Sequence, residues 1–392
     1  MKIVFAGGET GGHFYPLIAV AEAVRDIARD RHLIKPTLYY LAPTPYDQEA
    51  LFENEIAFIK IPAGKWRRYF SLENYLDLFV TFGGFISAFI TLFRIYPDVV
   101  FSKGGGASVP VTMAARWLHI PVIIHESDAK PGRANIMASR FAYRIATAFD
   151  STAAYFPQKV RDKVARTGIP IRKELMRLEE HGAAEELLLD PSVPTVFILG
   201  GSSGARAINE VVLSALTELV EVANVIHQTG RALYTSVETT AKIALEKSPN
   251  AARYHPFPYL SALSMRRAAG AATLVISRAG ATAIAEIAIW GKPSVLIPIP
   301  EEVSHDQRTN AYAYAKTGGA VVLEEANLSP HVLVSEVKRL LTDEAARQTM
   351  SAAAATFANA EAATIIAEEI VTIGLSHEPQ AVEEVPETVE TL

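Results

Sequence analysis

Short apolar runs alternate along the chain with longer amphipathic stretches, the pattern of strands and helices taking turns in a parallel α/β sheet. In the first half, Lys2–Phe5, Thr37–Leu41, Ile56–Ile61, Val99–Phe101, Val122–Ile124 and Ile145–Ala148 read as strands. Helices such as Leu17–Arg29 and Val109–Leu118 fall between them. Thr167-Gly168-Ile169-Pro170-Ile171-Arg172 then places glycine and proline after a strand end, which is hinge chemistry. A charged, Ala/Glu-rich helical stretch follows and is broken by Asp190-Pro191-Ser192.

A second series predicts strands at Thr195–Leu199, Val225–Gln228, Leu274–Ile276, Ser294–Ile297 and Ala320–Leu323. Its helices are Ala205–Val222, Thr282–Trp290, Gln307–Lys316 and Val332–Leu341. Two Rossmann-like units, 1–168 and 169–343, are thus expected to face each other across a cleft, with ligands at the carboxyl ends of the strands. An Ala-rich stretch, about Glu344–Ile373, reads as one long helix that packs back onto the first domain.

One segment departs from this rhythm. Leu78–Phe93 contains no charged residue and is apolar on nearly every helical face. It is shorter than the roughly 20 residues that span a bilayer, and Gly83-Gly84 is a potential kink. Lys65-Trp66-Arg67-Arg68-Tyr69-Phe70 lies just before it. Basic and aromatic residues beside an apolar helix suit the surface of an anionic membrane, although a buried helix beside a basic loop has the same pattern.

Composition narrows the class. The 392 residues are 49% hydrophobic and 20% charged, so wholesale disorder is excluded. A net charge of −6 argues against a protein that coats nucleic acid. With no cysteine there is no disulfide, thiolate metal site or cysteine nucleophile. The first apolar run is too short for a signal peptide. The segment 376–392 holds five glutamates, two prolines and no lysine or arginine, which reads as a disordered acidic tail.

The candidate chemistry sits where strands end. Gly7-Gly8-Glu9-Thr10-Gly11-Gly12-His13 lets the backbone approach a ligand and opens a helix whose N-terminus attracts anions. It is neither a dinucleotide fingerprint nor a Walker A loop. His13 is able to take a proton near neutral pH there, or merely to cap the helix. Ser102-Lys103-Gly104-Gly105-Gly106-Ala107-Ser108 and His125-Glu126-Ser127-Asp128 end neighbouring strands. Gly200-Gly201-Ser202-Ser203-Gly204-Ala205-Arg206 is the equivalent turn of the second unit and suits a diphosphate. Arg278 and Gly280 lead into the helix that carries Ala281, Thr282 and Glu286, and His305-Asp306-Gln307 opens another helix. A carboxylate at Glu286 is placed to accept two hydrogen bonds from a ribose diol, or simply favours the helix dipole.

Taken together these motifs resemble the MurG family, the GT-B glycosyltransferases that add N-acetylglucosamine to lipid I, over about residues 1–370. The first loop, through Pro16, matches Gly-Gly-x-Thr-Gly-Gly-His-x-x-Pro, and His125-Glu126 matches the family's His-Glu segment. Gly200–Arg206 matches Gly-Gly-Ser-x-Gly-Ala-Arg. Arg278–Glu286 matches the next motif, with Ala283 where a threonine is common. The resemblance implies His13 as general base or acceptor-diphosphate ligand, with Glu126 as the second catalytic candidate and Asp128 in reserve. It implies substrate contacts from Thr10, Gly11, Gly12, Ser108, Asp128 and Asn135, with Arg172 reaching the donor from the hinge. It implies donor contacts from Gly201, Ser202, Arg206, Pro258, Ala281, Thr282, Glu286 and Gln307.

The chain departs from the family pattern at Glu9, where glycine is common, at Ser127-Asp128, where Gln-Asn is common, and at Asp306. Pro258 falls in the uracil-contacting segment and has no N–H to donate. The implied enzyme is an inverting transferase that uses UDP-N-acetylglucosamine and a lipid-linked acceptor. No Asp-x-Asp metal motif is present and no cofactor is implied. The implied place is the cytoplasmic face of the cell membrane, peripherally, with other cell-wall enzymes as partners. The alternatives are a related GT-B transferase with another lipid acceptor, a UDP-N-acetylglucosamine 2-epimerase, and an inactive sugar-nucleotide-binding subunit. An oxidoreductase is disfavoured by the missing dinucleotide fingerprint.

Overall fold

The computed structural model describes residues 1–8, 10–64, 73–201, 204–302 and 306–376. Two parallel sheets organise them. In the first, β1 (Lys2–Ala6), β2 (Thr37–Ala42), β3 (Ile56–Lys60), β4 (Val99–Ser102), β5 (Val122–Glu126), β6 (Arg144–Thr147) and β7 (Val164–Arg166) lie in the order β3-β2-β1-β4-β5-β6-β7. In the second, β8 (Thr195–Leu199), β9 (Asn224–Gln228), β10 (Tyr254–Phe257), β11 (Leu274–Ser277), β12 (Ser294–Leu296) and β13 (Ala320–Val322) lie in the order β10-β9-β8-β11-β12-β13. These are the two parallel α/β units expected from the alternation, in the paired arrangement that the resemblance to GT-B glycosyltransferases implies.

The central strands were legible because helices cover both faces of each sheet. β4, β5, β8 and β9 are buried along their whole length, and each carries an apolar run (Val99–Phe101, Val122–Ile124, Val196–Leu199 and Val225–Ile226) with its buried polar residues at the ends. β7 and β10 are absent from the sequence-based expectation for the complementary reason. Both are edge strands, neither is fully buried, and β10 carries Pro256, which an edge tolerates.

The expected single helix over 344–373 is two helices. Glu344–Phe357 packs on the second domain through Met350 and Ala354. Ala362–Ser376 packs on the first, where Ala363, Ile366, Ala367, Ile370 and Val371 enter the core at helical spacing. The break is where the chain crosses back between domains. There Asn359 Nδ2 donates to the Thr167 carbonyl (2.8 Å) and Arg166 Nη2 to the Phe357 carbonyl (3.3 Å), fastening the return crossing to the hinge.

The uncharged segment lies in one helix, Glu73–Ile95, unbroken through Gly83-Gly84. Gly84 serves close packing: a Cβ there would overlap the Pro62 carbonyl. Ala88 and Leu92 are buried, whereas Phe79, Phe82, Ile86, Ile90 and Phe93 are exposed, Phe79 to 74%. Their spacing of three and four residues makes one apolar stripe. No helix among the described residues is long and apolar enough to cross a membrane. The basic-aromatic run 65–70 and the acidic tail 377–392 lie outside the described residues.

Candidate active site

Each sheet reverses its winding once, between β1 and β4 and between β8 and β11. A crevice opens outside the carboxyl ends of the strands at such a point. The loops there include residues 7–8 and 10–12, 103–108, 200–201 and 204–205, and 278–280, so the glycine motifs read from the sequence converge by topology.

The first loop is tied from below by the Tyr40 hydroxyl, which donates to the carbonyls of Gly7 and Gly8 (2.5 and 3.0 Å). The helix that follows starts at Gly11, six residues before the predicted Leu17, and Pro16 lies inside it. Proline lacks the N–H that would bond the carbonyl four residues earlier. The Gly12 carbonyl is therefore left over, and Thr282 Oγ1 donates to it across the cleft (3.3 Å). His13 sits on the first turn with Nδ1 3.0 Å from Thr10 Oγ1 and Nε2 facing Gly105. Burial and the nearby Lys103 charge lower its pKa to about 4, so the imidazole is neutral at pH 7.

Beneath His13 lies a cluster that joins two of the motifs read from the sequence, through side-chain contacts that the sequence did not predict. Lys103, 2% exposed, follows β4 and directs Nζ to His125 Nδ1 (2.7 Å) and to Ser127 Oγ. His125 Nε2 faces the Gly168 carbonyl (2.8 Å), which only accepts. The proton is therefore on Nε2, and Nδ1 accepts from the lysine. Burial, followed by the Lys103 charge, holds His125 well below the usual histidine range. Burial also lowers the Lys103 pKa, against the opposing pull of Glu126 and Asp128. The signal available beforehand was a lysine set directly between an apolar strand and a glycine turn.

Glu126 is enclosed and organises its own loop. Oε1 accepts from Asp128 N–H (3.0 Å), and Oε2 accepts from Gly132 N–H and Asn135 Nδ2 (2.9 Å each). Burial raises its pKa, with Asp128 adding to the effect. Asn135 also donates to the His125 carbonyl (3.1 Å). Ser108 caps the 105–108 turn through its bond to the Gly105 carbonyl (2.9 Å). These three side chains hold loops at the crevice.

On the opposite wall, Gly204 (φ +77°) backs onto the Thr229 carbonyl so closely that a Cβ would lie 2.5 Å from it. Gly201 and Arg206 are exposed there, Arg206 as the first residue of the helix Arg206–Val222; Ser202 lies outside the described residues. A second unforeseen network supports this turn. Asn209 Nδ2 donates to the Thr229 carbonyl (2.9 Å), and its Oδ1 faces His227 Nε2 (3.0 Å). The Tyr254 hydroxyl meets His227 Nδ1 (3.0 Å), and burial lowers the histidine to about 3.

Glu286 lies in the second turn of the helix Ala281–Ile289, whose first residues are Ala281 and Thr282. Burial raises its carboxyl to about 7, and Arg172 opposes the shift. Arg172 stacks 4.1 Å above the Tyr15 ring and donates to Glu174 (2.6 Å). Pro258 follows β10, and the Phe257 carbonyl before it already accepts from Thr229 N–H (2.9 Å). Gln307 Oε1 accepts from Ile299 N–H (3.2 Å), leaving its amide nitrogen available. Among the described residues, no group of three His, Asp or Glu side chains is placed to hold a metal ion. A cavity of about 420 Å³, lined by Phe149, Arg166, Lys316 and Phe357 among others, contains none of the candidate site residues.

The comparisons with known proteins agree with this geometry. Residues 3–147 match the glycosyltransferase family 28 N-terminal domain, and residues 195–367 match the glycosyltransferase family 28 C-terminal domain. A UDP-N-acetylglucosamine–N-acetylmuramyl-(pentapeptide) pyrophosphoryl-undecaprenol N-acetylglucosamine transferase of Treponema denticola is 36% identical, covering 87% of each chain. The enzyme of the same name from Treponema pallidum is 37% identical over 94% of this chain and 95% of its own. MurG of Acinetobacter baumannii superposes with a TM-score of 0.71 at 25% identity, covering 95% of this chain and 99% of its own. A UDP-N-acetylglucosamine 2-epimerase from Neisseria meningitidis, at 15% identity and TM-score 0.65 over 95% of this chain and 100% of its own, shares the fold.

Proposed function

The chain belongs to the MurG family of glycosyltransferase family 28, and we propose on that premise that it moves N-acetylglucosamine from UDP-N-acetylglucosamine to lipid I. The observation that carries the mechanism is the meeting of two loops across the cleft. Thr282 on the donor side hydrogen-bonds the Gly12 carbonyl beside His13 on the acceptor side. In the proposed reaction His13 Nε2 takes the proton of the acceptor hydroxyl while the oxygen attacks the anomeric carbon. The bond to UDP breaks on the opposite face, its electron pair leaves with the diphosphate, and the centre inverts. The N-termini of the helices Arg206–Val222 and Ala281–Ile289 supply fixed dipoles for that charge. Glu286 holds the uridine ribose and Gln307 the donor sugar. Glu126 and Asn135 shape the acceptor loop, a role drawn from the hydrogen bonds they already make.

In this reading residues 1–168, with the helix Ala362–Ser376, take the acceptor; residues 169–343, with the helix Glu344–Phe357, take the donor. UDP release decides the reaction class. It is expected with UDP-N-acetylglucosamine, to depend on a lipid I analogue, and to be slow with UDP-glucose. Release that ignores the acceptor, or inversion at the sugar C2, would favour the epimerase reading instead.

The exposed stripe Phe79, Phe82, Ile86, Ile90 and Phe93 supports docking on a lipid surface, where a lipid-linked acceptor resides. Its helix reaches the crevice through one loop. Thr81 Oγ1 accepts from Gly64 N–H (3.2 Å), and a Cβ on Gly106 of the second glycine turn would lie 3.6 Å from the Gly64 carbonyl. Co-sedimentation with anionic vesicles should be retained by the wild type and lost in a Phe82→Asp/Ile86→Asp variant. Equal binding by both would remove this face from the docking role.

A further inference from the structure

Asn310 is fully buried on the helix Gln307–Ala315 of the donor domain, yet both halves of its amide reach the acceptor domain. Oδ1 accepts from Ala129 N–H (2.8 Å), and Nδ2 donates to Asp128 Oδ1 (2.7 Å). Nδ2 also faces the Ala279 carbonyl (3.5 Å), in the loop that leads into the donor helix. The receiving segment is braced on its own side by Thr152 Oγ1, within 3.1 Å of the Asp128 carbonyl and 3.3 Å of the Ala129 carbonyl. Asparagine is suited to this place because one planar group must accept on one side and donate on the other. An aspartate would accept twice and set two carboxylates against each other.

We propose that Asn310 is a positioning residue for the transfer: its two hydrogen bonds to Asp128 and Ala129 lock the two domains in the closed register that brings His13 opposite the donor helix. Asn310 lies one turn beyond Gln307, so the proposed donor-sugar contact and the clasp move as one piece. Without the clasp the acceptor loop and the donor loop remain intact, each on its own domain, but their mutual distance is no longer fixed. The inference rests on the transferase reading and adds the device by which donor and acceptor halves are registered.

The test uses three proteins: wild type, Asn310→Asp and Asn310→Leu. Asn310→Asp keeps the bond from Ala129 N–H and sets a carboxylate against Asp128, whereas Asn310→Leu removes both bonds to the acceptor domain and leaves residue 128 untouched. Asn310→Asp should transfer roughly 10- to 100-fold more slowly, the factor carried by one hydrogen bond to a charged group. UDP-N-acetylglucosamine titrated calorimetrically should bind it within about threefold of wild type, since the donor site lies on one domain. Its radius of gyration by small-angle scattering with UDP bound should exceed that of wild type, and Asn310→Leu should be slowed and expanded in the same direction while still binding the donor. Three results each overturn the proposal: transfer by either variant within twofold of wild type, loss of donor binding in Asn310→Asp, or variants as compact as wild type with UDP bound. Should the wild type itself transfer nothing to a lipid I analogue, the transferase reading fails, while scattering and donor titration still decide the clasp.

Discussion

Replacing His13 with alanine should lower transfer by roughly 10²–10⁴-fold, the range of a positioned general base, while UDP-N-acetylglucosamine still binds. The argument is geometric before it is electrostatic. Thr10 Oγ1 sits 3.0 Å from Nδ1, which leaves Nε2 to face the crevice beside Gly105. Burial and Lys103 then keep the ring neutral down to about pH 4. The acid limb that His13 contributes to the pH profile should accordingly fall near 4, well below the 6.5 of a free imidazole. Turnover of the alanine variant near the wild-type rate, with donor binding intact, would take the base role from His13. An acid limb at 6.5 assigned to His13 by NMR titration would remove the electrostatic half of the argument.

The second large effect belongs to Glu286. Glu286→Ala should raise the KM for UDP-N-acetylglucosamine by about 100-fold, since a carboxylate that accepts from both ribose hydroxyls makes two charge-assisted hydrogen bonds. The wild type should show the matching pH dependence. Its folded-state pKa is about 7, above the ordinary 4.5, and only the ionised form accepts both bonds. Donor affinity should therefore fall as pH drops through 7 and level off above it. Stability runs the other way. A carboxyl whose pKa is raised by folding costs the native state its ionisation, so stability contributed by the neutral form is lost as pH rises from 4.5 to 7. Glu286→Gln should thus melt at a higher temperature than wild type at pH 8 and bind the donor weakly. A donor affinity flat from pH 5.5 to 8.5 in the wild type would take Glu286 out of the ribose site.

The turns of the proposed donor side were legible as turns because their signals are local. Gly200–Arg206 and Arg278–Glu286 each place a glycine turn immediately before a helix, a combination that a short window of sequence contains whole. The acceptor side was legible in its loops but less so in its roles. Glu126 was read as a catalytic candidate, whereas its two oxygens accept from Asp128, Gly132 and Asn135. No spacing rule distinguishes a carboxylate that braces a loop from one that waits for a proton. Lys103 was noted only as part of a glycine turn, because a lysine after a strand is ordinarily solvated and only the packed loops reveal its burial.

The alternation of short apolar runs with amphipathic stretches determined two parallel sheets, because strands covered on both faces must be apolar throughout and helices covered on one face must be periodic. It also determined where the glycine turns fall along each strand. Tertiary structure alone decided that the C-terminal stretch crosses back at Asn359, that the Gly12 carbonyl freed by Pro16 is met by Thr282, and that Asn310 joins Asp128 and Ala129. Each of these contacts joins residues that are 180 or more positions apart. Periodicity records which face of an element is buried; it carries no record of which distant carbonyl or amide that face will find there.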